Sequence, residues 1–197
     1  LAAAILWVAI LATGVHVPRE RETWFALLIM AATNAAVPFF LIVWGQVHIT
    51  GGLASILIAT TPLFAVIAAH YFTQDEGFTV GKALGVVAGL TGVVFLIGPQ
   101  LLGDLGSDLL GQLAILGAAF LYAISAIYGR RFAARKVPPL VVATGQMSMS
   151  VVLLLPVALL FEQPWNIANP GLPAWGAMVG LAVISTSFAY LIYFRIL

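Results

Sequence analysis

Leu53-Ala54-Ser55-Ile56-Leu57-Ile58-Ala59-Thr60-Thr61-Pro62-Leu63-Phe64-Ala65-Val66-Ile67-Ala68-Ala69-His70-Tyr71-Phe72 carries no charged side chain. It runs for about 20 residues, the length an α-helix needs to cross the hydrocarbon core of a bilayer. The rest of the chain repeats the pattern. Hydrophobic residues make up 62% of its 197 positions and charged residues 8%, whereas about a quarter of a soluble globular chain is charged. A water-soluble fold is excluded on that balance, and a net charge of +1 leaves no basic face for nucleic acid. With no cysteine, disulfide frameworks and thiolate chemistry are excluded as well. The chain opens inside an apolar run with no charged leader and no small-residue cleavage site, so that run reads as a helix already under way and not as a signal peptide.

The same length rule, applied outward from this stretch with Gly, Pro and charge as punctuation, predicts an all-α integral membrane protein of about seven transmembrane helices. The spans are Leu1–Val17, Trp24–Gly45, Leu53–Phe72, Val80–Gly98, Leu109–Gly129, Leu140–Phe161 and Ala174–Phe194. The basic residues test the count, because Lys and Arg collect on the cytoplasmic side of a membrane. Arg19 and Arg21 follow the first span, Lys82 follows the third, Arg130, Arg131, Arg135 and Lys136 follow the fifth, and Arg195 ends the seventh. The intervening connectors hold none. All 8 basic residues therefore fall on one side, the loops that bear them are expected in the cytoplasm, and the first span is expected to run inward. The setting this implies is a multi-pass protein of a cell membrane, the bacterial inner membrane.

The centre of each span marks the bilayer midplane, since a helix rises about 1.5 Å per residue. Asn34, Thr60, Thr61, Tyr122, Ser185, Thr186 and Ser187 all fall near it. Polar groups at that depth need partners, so they are expected to face other helices or a wet cavity and not lipid. A weak internal repeat accompanies them. Pro38-Phe39-Phe40-Leu41-Ile42-Val43-Trp44 and Phe188-Ala189-Tyr190-Leu191-Ile192-Tyr193-Phe194 align at a constant offset, on spans that would cross in opposite directions. That is the signature of an inverted repeat.

At this level the chain resembles the EamA family of the drug/metabolite transporter superfamily. The resemblance is carried by His48-Ile49-Thr50-Gly51-Gly52-Leu53 and the run through Thr60-Thr61-Pro62-Leu63-Phe64, by Asp75-Glu76 and Gly81-Lys82-Ala83-Leu84-Gly85, and by Gly111 to Arg131 with Tyr122, Ser125 and Gly129-Arg130-Arg131. It implies a ten-helix, two-repeat transporter bundle, of which these spans would be the second through eighth helices. One helix before Leu1 and two after Leu197 are thereby expected. Residues 1–98 would be the first repeat without its first helix, 99–108 an outer linker, and 109–197 the second repeat without its last two. Export of an amino acid or related metabolite is the activity the resemblance implies.

Pro62 and Pro38 lie within spans, where each removes a helix hydrogen bond and crowds the preceding turn. A carbonyl freed in this way can receive a substrate donor, or can be satisfied by Thr60, Thr61 or water in a plain structural kink. Asn34 offers donors and an acceptor to a solute, or ties two helices together. Ser185, Thr186 and Ser187 are spaced about 100° apart around their helix, so at most two share a cavity. Tyr122 and Tyr190 sit deep enough to line one, while Tyr128, Tyr193 and Trp44 belong to an interfacial belt. The substrate-binding set is thus Asn34, Pro38, Thr60, Thr61, Pro62, Tyr122, Ser125, Ser185, Thr186 and Tyr190. Gly81, Gly85, Gly89 and Gly92 form a smooth strip for close helix packing, against a helix of the same chain or of a second subunit.

His16 and His70 fall on the inner side and His48 on the outer, so no metal site is expected, and no cofactor is implied. No carboxylate pair shares a depth at which it could perform acid and base steps. An intramembrane enzyme is disfavoured for that reason, and a channel for want of charge rings or a filter loop. The reading that remains is a transporter whose partners are a small-molecule substrate and the lipid bilayer. Its action would be alternating access through a central cavity between two inverted repeats. A sugar-linked or nucleotide-linked metabolite is the alternative cargo.

Overall fold

The computed structural model describes residues 1–72, 79–97, 108–162, 171–180 and 182–183. Its regular elements are α1 (Ala2–Thr13), α2 (Arg21–Ala31), a π-helical turn (Ala32–Ala36), α3 (Val37–His48), α4 (Gly51–Ile58), α5 (Thr61–Phe72), α6 (Val80–Ile97), α7 (Leu109–Ala134), α8 (Pro139–Val157), a second π turn (Ala158–Glu162) and α9 (Gly171–Gly180). No strand occurs among the described residues. Among the described residues four helical rods are long and apolar enough to cross a membrane: Arg21–His48, Gly51–Phe72, Leu109–Ala134 and Pro139–Leu160. Ala2–Thr13 and Val80–Gly92 are shorter apolar helices. The chain is an all-α integral membrane protein, and its helices begin and end close to where the span assignment put them. Most of the seventh span, like Asp75 and Glu76, lies outside the described residues.

Surface and interior are inverted relative to a soluble protein. Leu11, Val47 and Phe95 are each 78% exposed and Leu160 is 74% exposed, which suits hydrocarbon and would aggregate in water. The interior is filled by small residues, including Ala26, Ala31, Ala35, Ala54, Ala68, Ala69, Ala118, Ala119, Ala123 and Ala143. Lipid tails are as apolar as leucine, so helices in a membrane associate by close backbone approach, and small side chains allow it.

The residues divide into two compact units, Leu1–Ala32 with Arg131–Leu197, and Thr33–Arg130. In the first, α8 packs against both α1 and α2. Gly145 on α8 leaves room for Leu27: a Cβ there would come within 2.5 Å of Leu27 Cδ1. Trp7 Nε1 donates to Ser148 Oγ at 3.0 Å, joining α1 to α8. The hydroxyls of Thr144, Ser148 and Ser150 each donate back to the carbonyl four residues earlier.

In the second unit, Ile49, Leu53, Ala54, Leu57 and Ile115 form a core to which Ile42, Ile58 and Leu116 add. This ties α3 and α4 to α7. α3 and α7 meet at two glycines: a Cβ on Gly45 would sit 2.8 Å from Ile115 Cδ1 and 3.0 Å from the Gly111 carbonyl oxygen, and one on Gly111 would sit 2.9 Å from His48 Cβ. Phe64 and Phe120 stack edge-to-face at 5.8 Å, bringing α5 to the same helix.

Asp108 begins α7 with two contacts. Its Oδ1 accepts from the Gly111 amide at 2.9 Å, and its Oδ2 lies 3.3 Å from His48 Nδ1, whose ring rests on Trp44 at a centroid distance of 4.6 Å. One carboxylate thus caps α7 and ties it to the end of α3. Asp108→Ala removes both roles and is expected to destabilise the protein by about 1–2 kcal/mol, most of it the lost cap. Asp108→Asn, which keeps the capping oxygen, should recover most of that in thermal unfolding in detergent.

Candidate functional site

Each proline inside a span coincides with a backbone irregularity. Pro38 has no N–H to offer the carbonyl of Asn34, four residues before it. The chain there widens into the π turn Ala32–Ala36, with Asn34 in its middle. Pro62 stands in the same relation to Ile58, and α4 ends at Ile58 before α5 restarts at Thr61. Pro156 lies inside α8, directly before the π turn Ala158–Glu162. Wide turns of this kind expose backbone groups that an α-helix would hide.

At the Pro62 break the protein supplies its own partners. Thr61 Oγ1 donates to the Ile58 carbonyl at 2.7 Å, and Thr60 Oγ1 donates to the Leu57 carbonyl at 2.6 Å. The hydroxyl protons are used locally, and the oxygens keep lone pairs for a donor from outside. Thr60 and Thr61 are half-buried and Pro62 is exposed. At the other break Pro38 is fully buried and Asn34 half-buried.

Tyr122 and Ser125 stand one turn apart on α7, on the side continuous with Ile115, which is seven residues before Tyr122 and so on the same face. Tyr122 is half-buried and Ser125 is completely buried. Ser125 Oγ has no hydrogen-bond partner among the described residues. Other hydroxyls in these helices, such as Thr13, Ser55 and Thr144, bond back to their own helix. An unmade bond at a buried donor costs about 1–3 kcal/mol, so this serine carries a polar group in need of a partner.

Asn34, Pro38, Thr60, Thr61, Pro62, Tyr122 and Ser125 all belong to the Thr33–Arg130 unit. Ser185, Thr186 and Tyr190 lie outside the described residues. Among the described residues nothing lies within 4 Å of where the Cβ atoms of Gly81, Gly85, Gly89 and Gly92 would be, whereas Gly45, Gly111 and Gly145 mark the tight crossings. Among the described residues no group of three or more His, Asp and Glu could hold a metal. Sequence reasoning missed the polar string Thr144, Gln146, Ser148 and Ser150, of which Thr144, Gln146 and Ser150 are buried. The signal was present, since these residues lie towards the middle of the sixth span and polar letters at that depth are the mark used elsewhere.

The fold and these irregular, polar-lined helices can be set beside known proteins. Residues 1–98 and 109–197 match the EamA-like transporter family. The chain belongs to that family. Among curated proteins, this EamA-like chain is 26% identical over 178 residues to the uncharacterized transporter YoaV of Bacillus subtilis, covering 90% of the chain and 60% of the relative. It is 35% identical over 79 residues to a probable terminal-alkyne amino-acid exporter of Streptantibioticus cattleyicolor, covering 40% of the chain and 26% of that protein. A solved crystal structure of a protein superposes with a TM-score of 0.74 at 22% identity, covering 96% of this chain and 63% of that one, which shows a shared fold. The chain thus spans about three fifths of the length of YoaV, 60%. The family match and the long apolar helices together make it a multi-pass membrane protein.

Proposed function

We propose that the protein exports a small polar or amphiphilic metabolite, an amino acid or a close relative, by alternating access between two inverted repeats, residues 1–98 and 109–197. The observation that carries this reading is the π turn at Ala32–Ala36, which sets the Asn34 amide and loosened backbone carbonyls at mid-span in an otherwise apolar helix. An amide there can both donate to a carboxylate and accept from an ammonium or hydroxyl. Ser125, buried with no partner among the described residues, supports the reading as a second polar group in the same unit. Thr60, Thr61, Pro62, Tyr122, Ser185, Thr186 and Tyr190 complete the proposed set. The amino-acid cargo is supported by the exporter relative, and the cytoplasmic placement of the basic loops by the positive-inside rule.

The test is transport in proteoliposomes by the protein in its full natural length, with a panel of amino acids as solutes. Asn34→Leu combined with Thr186→Val is expected to lower transport by about tenfold or more, the equivalent of roughly one lost hydrogen bond to a bound polar solute. Full activity in that double variant would remove both residues from the mechanism.

A further inference from the structure

Within the Thr33–Arg130 unit, α3 and α7 pack in opposite directions. A Cβ on Gly45 would meet Ile115 Cδ1 and the Gly111 carbonyl oxygen, one on Gly111 would meet His48 Cβ, and one on Gly117 would sit 3.6 Å from Leu41 Cδ1. Moving back along α3 thus moves forward along α7. Continued through the seven residues from Leu41 to Asn34, about 10 Å of helix, this register brings Asn34 level with about residue 124, beside Ser125. The facing stripes agree with it. Gly45, Leu41, Pro38 and Asn34 recur at spacings of three and four, as do Gly111, Ile115, Ala118, Tyr122 and Ser125 on α7, and such spacings keep to one side of a helix. Pro38, Ile115, Ala118 and Ser125 are fully buried. Neither stripe carries a charged side chain.

We infer that Asn34 and Ser125 form one seat for the carboxylate of the solute, an inference that rests on the transport reading above and deepens it. The chemistry of the two groups sets the ligand. Thr60 and Thr61 of the same unit spend their hydroxyl protons on helix carbonyls, whereas the Ser125 hydroxyl, completely buried, has no partner among the described residues. It is a donor without an acceptor. The Asn34 amide, held in the π turn, adds two further N–H donors. Donors that converge in this way call for an oxygen acceptor, and a carboxylate offers one oxygen to each side. An ammonium has only donors and would leave the Ser125 proton unused. With no cation in either stripe, neutral hydrogen bonds alone hold the anion, and the low dielectric of a dry site strengthens them. The seat takes one donor from each of the two proposed repeats.

The test uses the full-length protein and has two arms. Residues 1–197 hold no cysteine, so Asn34→Cys with Ser125→Cys, in a chain otherwise free of cysteine, is expected to cross-link with a short bis-maleimide. Asn34→Cys with Ile127→Cys should not, because Ile127 lies about 200° further round α7 and lines a cavity with α5 and α6. Ser125→Ala removes the unused hydroxyl with little change of shape, so its melting temperature without solute should rise by roughly 2–4 °C. Its uptake of amino acids into proteoliposomes should fall by about tenfold. A serine with a purely structural role would give the reverse, lower melting and unchanged uptake. Each amino acid is compared with the amine left by its decarboxylation, and the wild type should favour the amino acid by about tenfold, a preference that Ser125→Ala loses. No cross-link between positions 34 and 125, unchanged uptake by Ser125→Ala, or equal uptake of acid and amine by the wild type overturns the seat while leaving transport standing. A wild type that moves no amino acid overturns the proposed function and the carboxylate with it, and the cross-link then decides whether the two residues meet.

Discussion

Gly45→Leu is expected to destabilise the protein by about 3 kcal/mol, at the upper end of the usual cost of overpacking. The reason is geometric. A Cβ at position 45 would lie 2.8 Å from Ile115 Cδ1 and 3.0 Å from the Gly111 carbonyl oxygen. The isoleucine tip can rotate away, whereas the carbonyl belongs to the backbone of α7 and moves only if the helix does. Combining Gly45→Leu with Ile115→Ala should therefore rescue only part of the loss, and a double-mutant cycle would read that coupling. Gly89→Ala is the control. Its Cβ meets nothing within 4 Å, and alanine in a helix interior is favoured over glycine by about 0.5–1 kcal/mol, so that variant should be neutral or slightly stabilised. Thermal unfolding in detergent that ranked the two alike would show that α3 and α7 do not cross at these glycines.

The second large effect is expected on transport and not on stability. Pro38→Ala returns an N–H to the Asn34 carbonyl and removes the ring that disfavours a regular helix there, a preference of about 3 kcal/mol in a helix interior. The π turn at Ala32–Ala36 can then tighten into α-helix, rotating Asn34 away from its present direction. Pro38 is fully buried, so lost packing offsets part of the gain, and the melting temperature should stay level or rise. Transport should fall by about tenfold, the loss of roughly one well-placed polar contact. A stable variant with poor transport is the trade-off expected when an irregular backbone serves function. If Pro38→Ala transports as well as the wild type, the π turn is a structural accommodation only.

Much of this architecture was legible in the chain because membrane crossing is a one-dimensional constraint. Apolar length and the alternation of basic connectors need no knowledge of neighbours, and the helices Gly51–Phe72 and Leu109–Ala134 lie close to the expected spans. Pro38 and Pro62 likewise announced breaks, since a missing N–H acts on the residue four positions earlier in the same helix. What form a break takes is another matter. Pro38 is accommodated by a π turn, while at Pro62 the hydroxyls of Thr60 and Thr61 satisfy the carbonyls of Leu57 and Ile58.

Glycine shows where linear reading stops. The regular spacing of Gly81, Gly85 and Gly89 marks a strip for a helix partner, but among the described residues the tight approaches occur at Gly45, Gly111 and Gly145, which have no repeat to betray them. Closeness is a property of two helices together, and a pattern along one helix cannot say which face a neighbour takes. The pairing of His48 with Asp108 escaped for the same reason, as did the hydrogen bond from Trp7 to Ser148 across 141 positions.

The sequence alone determined that this chain lives in a bilayer and where its helices weaken, because water, hydrocarbon and proline act on each segment by itself. Only the tertiary structure decided which small residues touch, which hydroxyls are spent on their own helix, and that Ser125 finds no partner among the described residues. Those outcomes depend on the rotation and crossing of helices far apart in the chain, and helix packing sets both through contacts that no single segment contains.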